Sequence, residues 1–422
     1  MELEFYYSDI EGVNIPDDNF AGIFKPKTND NDFEVEELVL EALQNPIGTN
    51  RLEQEIEAGD EILILSDDNT RATPVDKILN FLLPRLHKLG VKKEDITILM
   101  AIGTHRPMDQ EELVEKLGKQ IVDEYNVVNH LWDKDEQNIY YGKTSEGIEV
   151  WGNKLLKESD FVIGIGHIVP HRVAGFSGGG KIAQPGVCTG KTTGETHWIS
   201  ALVPGVDIMG QRDNIVRKQI DESAKLMGLD FIINVVQDLE EKVVDIFAGD
   251  LVEAHRAGCK LAKKLYGVKI PQADIVITDS YPADIELWQA AKGVYASELV
   301  VKEGGYVILV TPCPEGVSKS HPEIEEFGYQ NLEETQRLID NKELEELSVA
   351  AHLVHVGRTI KEKASGIMVC PNIANDLKEK LGFISADSVQ EALEYALDKK
   401  GEDASVVAML HAGDILPVSD NN

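Results

Sequence analysis

Three short stretches of this chain carry side chains that could move protons, hold an anion or ligate a metal, and each follows an apolar run. The richest extends from Phe161 to Trp198, FVIGIGHIVPHRVAGFSGGGKIAQPGVCTGKTTGETHW. It places His167, His171, Arg172, Ser177, Lys181, Lys191, Glu195 and His197 beyond a β-branched segment, Phe161 to Ile165. The second is Ser66-Asp67-Asp68-Asn69-Thr70-Arg71, after Glu61 to Leu65, and the third is Gly103-Thr104-His105-Arg106-Pro107, after Ile96 to Ile102. Imidazole titrates near neutrality and can give or take a proton. Arg71, Arg106, Arg172, Lys181 and Lys191 could supply a basic pocket for an anionic substrate. A helix cap by Asp or Thr would explain one residue of the second stretch, but it does not require Arg71.

The glycine run Gly178-Gly179-Gly180 permits positive φ and close backbone approach, and its N–H groups could form an anion-binding nest. The bland alternative is a surface turn, which would not need Lys181 and two histidines beside it. Gly175 to Lys181 spells G-x-x-x-x-G-K, the start of a phosphate-binding loop, but Ile182 stands where a Mg²⁺-binding hydroxyl is required. Gly190-Lys191-Thr192 supplies the ending of such a loop, and there Pro185 replaces the first glycine. Each candidate lacks one part of the mechanism.

Short apolar runs bounded by turn residues read as buried strands, and runs with apolar residues three and four apart read as helices. This predicts strands at Glu61 to Leu65, Ile96 to Ile102, Phe161 to Ile165, Asp230 to Gln237, Glu241 to Phe247, Ala273 to Thr278, Gly304 to Thr311 and Ser405 to Leu410. Shorter strands are expected at Leu3 to Ile10, Ile367 to Cys370 and Phe383 to Ile384. Helices are expected from Glu34 to Gly59, split at Pro46, and over Val75 to Leu89, Ile215 to Met227, Asp250 to Tyr266, Glu343 to Val356 and Ser388 to Lys399. Alternation of strand and helix is the pattern of a parallel sheet, in which the loops after strands lie at one end and can converge.

The chain has 422 residues and a formal net charge of -33. That length predicts two domains at about 100–200 residues each. The acidity argues against nucleic acid or an anionic membrane as partner, since both need a basic face. Cys188, Cys259, Cys313 and Cys370 are far apart and form no C-x-x-C, so neither a zinc ribbon nor a disulfide framework is expected. The N-terminus lacks a secretory pattern and no apolar run reaches membrane-spanning length, so a cytoplasmic protein is expected.

Taken in order, Asp68-Asn69-Thr70-Arg71, Gly103-Thr104-His105-Arg106, Pro170-His171, Ala174-Gly175-Phe176-Ser177-Gly178-Gly179, Lys181, His197 and Gln289-Ala290-Ala291-Lys292 resemble the LarA-type, nickel-dependent lactate racemase family over essentially the whole chain. The resemblance implies a nickel pincer nucleotide, a pyridinium-3-thioamide-5-thiocarboxylic acid mononucleotide with Ni(II). Lys181 matches the lysine that carries it covalently, and His197 matches the histidine that ligates nickel. Sulfur and imidazole ligands in a square-planar array suit Ni(II). Asp68, Asn69, Thr70 and Arg71 match the cofactor-contacting loop. His105 and His171 match the two acid/base residues, and Gln289 and Lys292 match residues that hold the substrate, with Lys292 on its carboxylate. The implied reaction is racemisation or epimerisation of a 2-hydroxy acid, with hydride leaving and returning to the α-carbon. Cofactor-synthesis machinery is an implied partner. Arg172, Val173 and Trp288 flank the matched positions on the expected substrate side. His167 is expected to be structural, and His352, His355 and His411 are unassigned.

The expected architecture is two α/β domains with mostly parallel sheets and the active site in the cleft between them. Residues 1–268 would carry cofactor and catalytic histidines, and residues 271–404 would supply Gln289 and Lys292. The tail, 405–422, would pack back on the first domain. Two rivals are a phosphate-binding transferase built on the Lys181 or Lys191 loop, and a non-catalytic protein that binds a small ligand.

Overall fold

A computed structural model of the chain describes residues 1–29 and 33–418. They form two compact α/β units. One comprises 27–196 and 211–265; the other comprises 1–26, 197–210 and the residues from 266 onward.

The unit containing Lys181 is built on a six-stranded sheet. Its order is Val243–Gly249, Phe231–Gln237, Phe161–His167, Ile62–Ser66, Ile96–Met100, Asn126–Asn129. All neighbours are parallel except the first pair, which is antiparallel. Alternation along the central strands sends side chains to opposite faces. Ile62 and Ile64 join Ile78, Leu82 and Leu113 on one face, whereas Leu63 and Leu65 join Val187, Ala224 and Met227 on the other. Both faces are therefore covered, which is why these strands read as continuous apolar runs.

Register fixes where the chemistry-bearing loops start. Ser66 lies opposite both Met100 and Ile165, so three adjacent strands end at one edge. The strand order also reverses between Ile62–Ser66 and Phe161–His167. In an open parallel sheet that reversal creates a crevice beyond the carboxyl ends. The Asp68 and His171 loops flank it.

The other unit holds a second six-stranded sheet, entirely parallel, in the order Ile384–Ala386, Ala364–Val369, Val301–Val310, Ala273–Asp279, Val406–Met409, Phe20–Phe24. The helices Leu287–Glu298 and Leu347–Gly357 cover one face and the helix Val389–Lys400 the other. The division differs from the expected 1–268 and 271–404. The first residues complete this second sheet, because Phe20–Phe24 pairs with Val406–Met409. The tail strand likewise lies inside this sheet, against Ala273–Asp279, rather than on the sheet around Lys181. Residues 419–422 of that tail lie outside the described residues. The strand expected at Leu3 to Ile10 is reduced to Glu2–Leu3, paired with Val13–Asn14. Among the described residues no helix is long and apolar enough to cross a membrane.

The last residue of the Ala273–Asp279 strand makes a testable prediction. Asp279 is fully buried, and its carboxylate accepts the N–H groups of His411 (3.1 Å) and Ala412 (2.8 Å). Burial, only partly offset by those bonds, pushes its pKa up to about 7. An unfolded Asp titrates near ~3.9, so between roughly pH 4 and 7 the native state keeps a proton that the unfolded state has released. Stability contributed by this group therefore falls as pH rises through that window. Asp279→Asn should gain relative to the parent between pH 4.5 and 7.5 in urea denaturation, whereas a constant difference would contradict the assignment.

Candidate active site

Asp67 begins the loop after Ile62–Ser66 and anchors it. Its buried carboxylate accepts Thr73 Oγ1 and pairs with Lys116 Nζ at 3.0 Å, and that ammonium also donates to the carbonyls of Arg71 (2.7 Å) and Thr73 (3.2 Å). Lys116 comes from the helix Gln110–Leu117, so this loop is tied to the element after the His105 loop. Asn69 Nδ2 donates to Glu112 on the same helix, and Arg106 clamps that carboxylate with two bonds of 2.8 and 2.6 Å.

On this base Asp68 and His105 form a dyad. His105 Nδ1 donates to Asp68 Oδ2 at 2.7 Å, and Asp68 Oδ1 accepts from Thr70 N (3.1 Å) and Thr70 Oγ1. Burial raises the Asp68 pKa, but the bonds from His105 and Thr70 and the charge of Arg71 outweigh it and hold the carboxyl well below its usual range. A carboxylate on Nδ1 fixes the neutral tautomer and leaves a lone pair on Nε2. The His105 side chain is 42% exposed, so that nitrogen can meet a ligand.

His171 is held differently. Pro170–His171 pairs with Gly175–Phe176 in a small hairpin, and His171 Nδ1 accepts the N–H groups of Val173 (3.2 Å) and Ala174 (3.3 Å). Two donors at Nδ1 put the proton of the neutral ring on Nε2. The two histidines are thus set in opposite tautomers.

Lys181 lies in a short 3₁₀ turn, Gly179–Ile182. The preceding glycines answer to packing rather than to an anion nest. A Cβ on Gly178 would meet Ile168 and Asn234, and one on Gly179 would meet the His255 ring at 2.7 Å; both positions have positive φ. Gly179 N already donates to Asn234 Oδ1 at 2.7 Å. Lys191, the other candidate phosphate ligand, pairs with Glu149 at 2.7 Å, and Thr192 Oγ1 donates to the Glu149 carbonyl. Neither glycine-lysine element has the form of a nucleotide loop.

A buried polar network that sequence reasoning missed supports this turn. Arg217 is 0% exposed and donates to the carbonyls of Ala174 (3.3 Å), Gly178 (3.0 Å) and Phe176. Asp221 lies 3.7 Å from Arg217 and 2.6 Å from Arg256, and Arg256 in turn donates to His255 Nδ1. His255 Nε2 donates to the Ser177 carbonyl at 2.8 Å, so its neutral form is fully specified; burial and the two arginines push its pKa down. The only sequence signal was an Arg and an Asp four apart in a helix whose Val216, Ile220 and Ala224 face inward.

His167, expected to be structural, ends the strand at the crevice. Its Nε2 is buried with no hydrogen-bond partner among the described residues, and burial together with the charges of Arg71 and Lys116 lowers its pKa to about 3.

The remaining expected residues belong to the other unit. The boundary falls inside the helix Gly190–Ala201, between Thr196 and His197. Gln289 and Lys292 sit three apart on one half-buried face of Leu287–Glu298, while Leu287, Ala290, Ala291 and Val294 face the core. Gly293 lets that helix approach the end of the Ala273–Asp279 strand, since a Cβ there would lie 2.3 Å from the Asp279 carbonyl. Trp288 lies between the rings of His321 and His352, at 4.2 and 4.3 Å. His352 is neutral, its pKa lowered by burial to about 3, and it meets the hydroxyls of Tyr295 (2.6 Å) and Tyr329.

Comparison with known proteins places this arrangement. Residues 6–205 match the family described as lactate racemase N-terminal domain, and residues 268–414 match the lactate racemase C-terminal domain. A lactate racemase of Lactiplantibacillus plantarum is 32% identical over 94% of this chain and 95% of its own length. One from Thermoanaerobacterium thermosaccharolyticum is 33% identical over 72% of each chain. The solved structure of the lactate racemase apoprotein from T. thermosaccharolyticum superposes with a TM-score of 0.86 at 27% identity, covering 99% of this chain and all of that one. A Thermotoga maritima protein shares the fold, with a TM-score of 0.72 at 24% identity over 93% of this chain and all of that one. With ordered motifs, fold and whole-length similarity in agreement, the chain belongs to the lactate racemase family of isomerases.

Proposed function

We propose that this protein racemises lactate or a closely related 2-hydroxy acid, with His105 and His171 handling the hydroxyl proton. The observation that carries this reading is the Asp68–His105 dyad, which presents a basic nitrogen on a partly exposed ring. His105 Nε2 takes the proton of the substrate hydroxyl, and the ionised Asp68 stabilises the imidazolium that results. His171, with its ring proton on Nε2, donates a hydrogen bond to the same oxygen once it becomes a carbonyl. To act as a base toward the opposite enantiomer it exchanges its two backbone bonds for a proton on Nδ1. The histidines are therefore unequal in the resting protein. Lys292 is assigned to the substrate carboxylate and Gln289 to its oxygen atoms.

The chain's own side chains offer no hydride acceptor, so the reading includes the nickel pincer nucleotide that the motifs imply. When bound, this group supplies a reversible acceptor for the α-hydrogen. The residues fit it. Lys181 stands on a turn fixed by packed glycines, as a covalent anchor requires. Arg71 and the unpartnered His167 Nε2 provide a cation and an unused polar atom at the crevice, where a nucleotide phosphate would be held. His197 is assigned as the nickel ligand.

The test is chiral chromatography of lactate incubated with protein co-expressed with cofactor-synthesis machinery. Either pure enantiomer should approach the racemic mixture, and peptide mass mapping should show an adduct on Lys181. A protein that carries the adduct yet interconverts no 2-hydroxy acid would leave the non-catalytic rival standing.

A further inference from the structure

The unit containing residues 266–418 holds a cluster, within electrostatic reach of His197, to which the reaction proposed above assigns no role. His321, Glu323 and Glu346 each offer one ligand atom, and the three atoms lie within 4.8 Å of one another. His321 and Glu323 lie where the chain, after the Val301–Val310 strand, turns into the short helix Glu323–Phe327. Glu346 stands immediately before the helix Leu347–Gly357, its side chain making no cap to the helix N–H groups. The loop between strand and cluster is anchored, because Leu287 N and Trp288 N donate to the carbonyls of Gly316 (3.0 Å) and Val317 (3.1 Å).

The cluster is oriented but unsatisfied. The His321 ring packs against Trp288 at 4.2 Å. Ser348 Oγ donates to Glu346 Oε1 at 2.6 Å and so turns the other oxygen, Oε2, toward His321. That oxygen is 3.6 Å from His321 Nδ1, longer than a hydrogen bond. Among the described residues, His321 Nδ1 and Glu323 Oε2 are buried with no hydrogen-bond partner. Leaving buried polar atoms unpaired is costly, and two carboxylates converging on one imidazole repel each other unless positive charge lies between them.

We propose that His321, Glu323 and Glu346 bind one divalent transition-metal cation, with water completing its coordination. Imidazole and carboxylate are borderline and hard donors that suit Zn(II) and its neighbours rather than a soft ion. Two ligand atoms 3.6 Å apart can both lie ~2.0–2.2 Å from a shared ion. Two carboxylates neutralise a 2+ charge, and Ser348 and Trp288 supply the outer contacts that hold ligands in place. The bound ion would clamp the loop before Glu323 to the start of the Leu347–Gly357 helix. This inference does not depend on the racemase reading.

The test uses full-length protein made without cofactor-synthesis machinery, stripped with chelator and titrated with Zn(II) in a calorimeter. One site per chain with micromolar or tighter affinity is expected, together with a thermal midpoint that rises with Zn(II). Glu323→Gln and His321→Gln should each weaken binding at least tenfold, while His197→Ala should retain it, separating this site from the residue assigned to nickel. Parent protein with no saturable Zn(II) binding would overturn the proposal. So would parental affinity in both cluster variants, or binding lost in His197→Ala but kept in Glu323→Gln.

Discussion

Asp68→Asn should lower turnover of both lactate enantiomers by ~10²- to 10⁴-fold with little change in KM, because the residue acts on the proton and not on substrate binding. In the parent, Asp68 accepts the Nδ1 proton of His105 at 2.7 Å and is held ionised far below the usual carboxyl range. It stays charged at every pH where imidazole can gain or lose a proton. The neutral amide cannot stabilise the imidazolium, and its NH₂ group can turn toward Nδ1 and select the wrong tautomer. ¹⁵N NMR of the imidazole would report that change, which a merely structural role would not produce. The same pairing has a consequence for stability. A depressed folded pKa stabilises above the unfolded value, near ~3.9, and that contribution is lost as pH falls through the folded value. Acid denaturation of Asp68→Asn should therefore be less steep than that of the parent below about pH 4. Parental turnover in Asp68→Asn would remove the dyad from the mechanism.

The sequence exposes the strands and the loops beyond them because both signals are local. Runs such as Ile62–Ser66 and Phe161–His167 are buried on both faces and hence continuously apolar, and the polar residues that follow have nowhere to go but the carboxyl edge. What it hides is pairing across distance. Phe20–Phe24 is only partly buried, and its partner, Val406–Met409, lies at the other end of the chain, so no local pattern assigns the first residues to the second sheet. Asp68 reads as one polar residue of a cofactor loop, and only the shared register of two strands reveals that it faces His105. The glycines before Lys181 read as an anion nest, but what excludes a side chain there is Ile168, Asn234 and His255. Cys313 and Cys370, far apart in sequence, end up beyond two neighbouring strands, with Cys370 Sγ donating to the Pro312 carbonyl and Cys313 Sγ against Thr311 Oγ1. Arg217 and Asp221 have the spacing of an ordinary solvated helix pair, and nothing local marks them as turned inward.

Arg217→Met should be the most damaging single change on the supporting side of the site. The guanidinium is wholly buried and satisfies three carbonyls, those of Ala174, Phe176 and Gly178, across the stretch that links His171 to Lys181. Burial pushes its pKa down, yet an arginine remains charged, and Asp221 is its counter-charge. Methionine fills much of the volume but donates nothing, so each of the three carbonyls loses a donor, Ala174 keeping Asn214 Nδ2 and Gly178 keeping Lys181 N, and Asp221 keeps Arg256. Removing one partner of a buried pair costs ~3–5 kcal/mol. The carbonyls all lie in the segment that leads into the turn seating Lys181, so the loss is local as well as global. The expected outcome is a lower thermal midpoint together with reduced covalent loading of Lys181 under co-expression conditions that load the parent fully. Arg217→Lys keeps the charge but loses the fork that reaches three acceptors at once, and it should fall between the two. Full loading and an unchanged midpoint in Arg217→Met would mean that the packed glycines alone hold the turn.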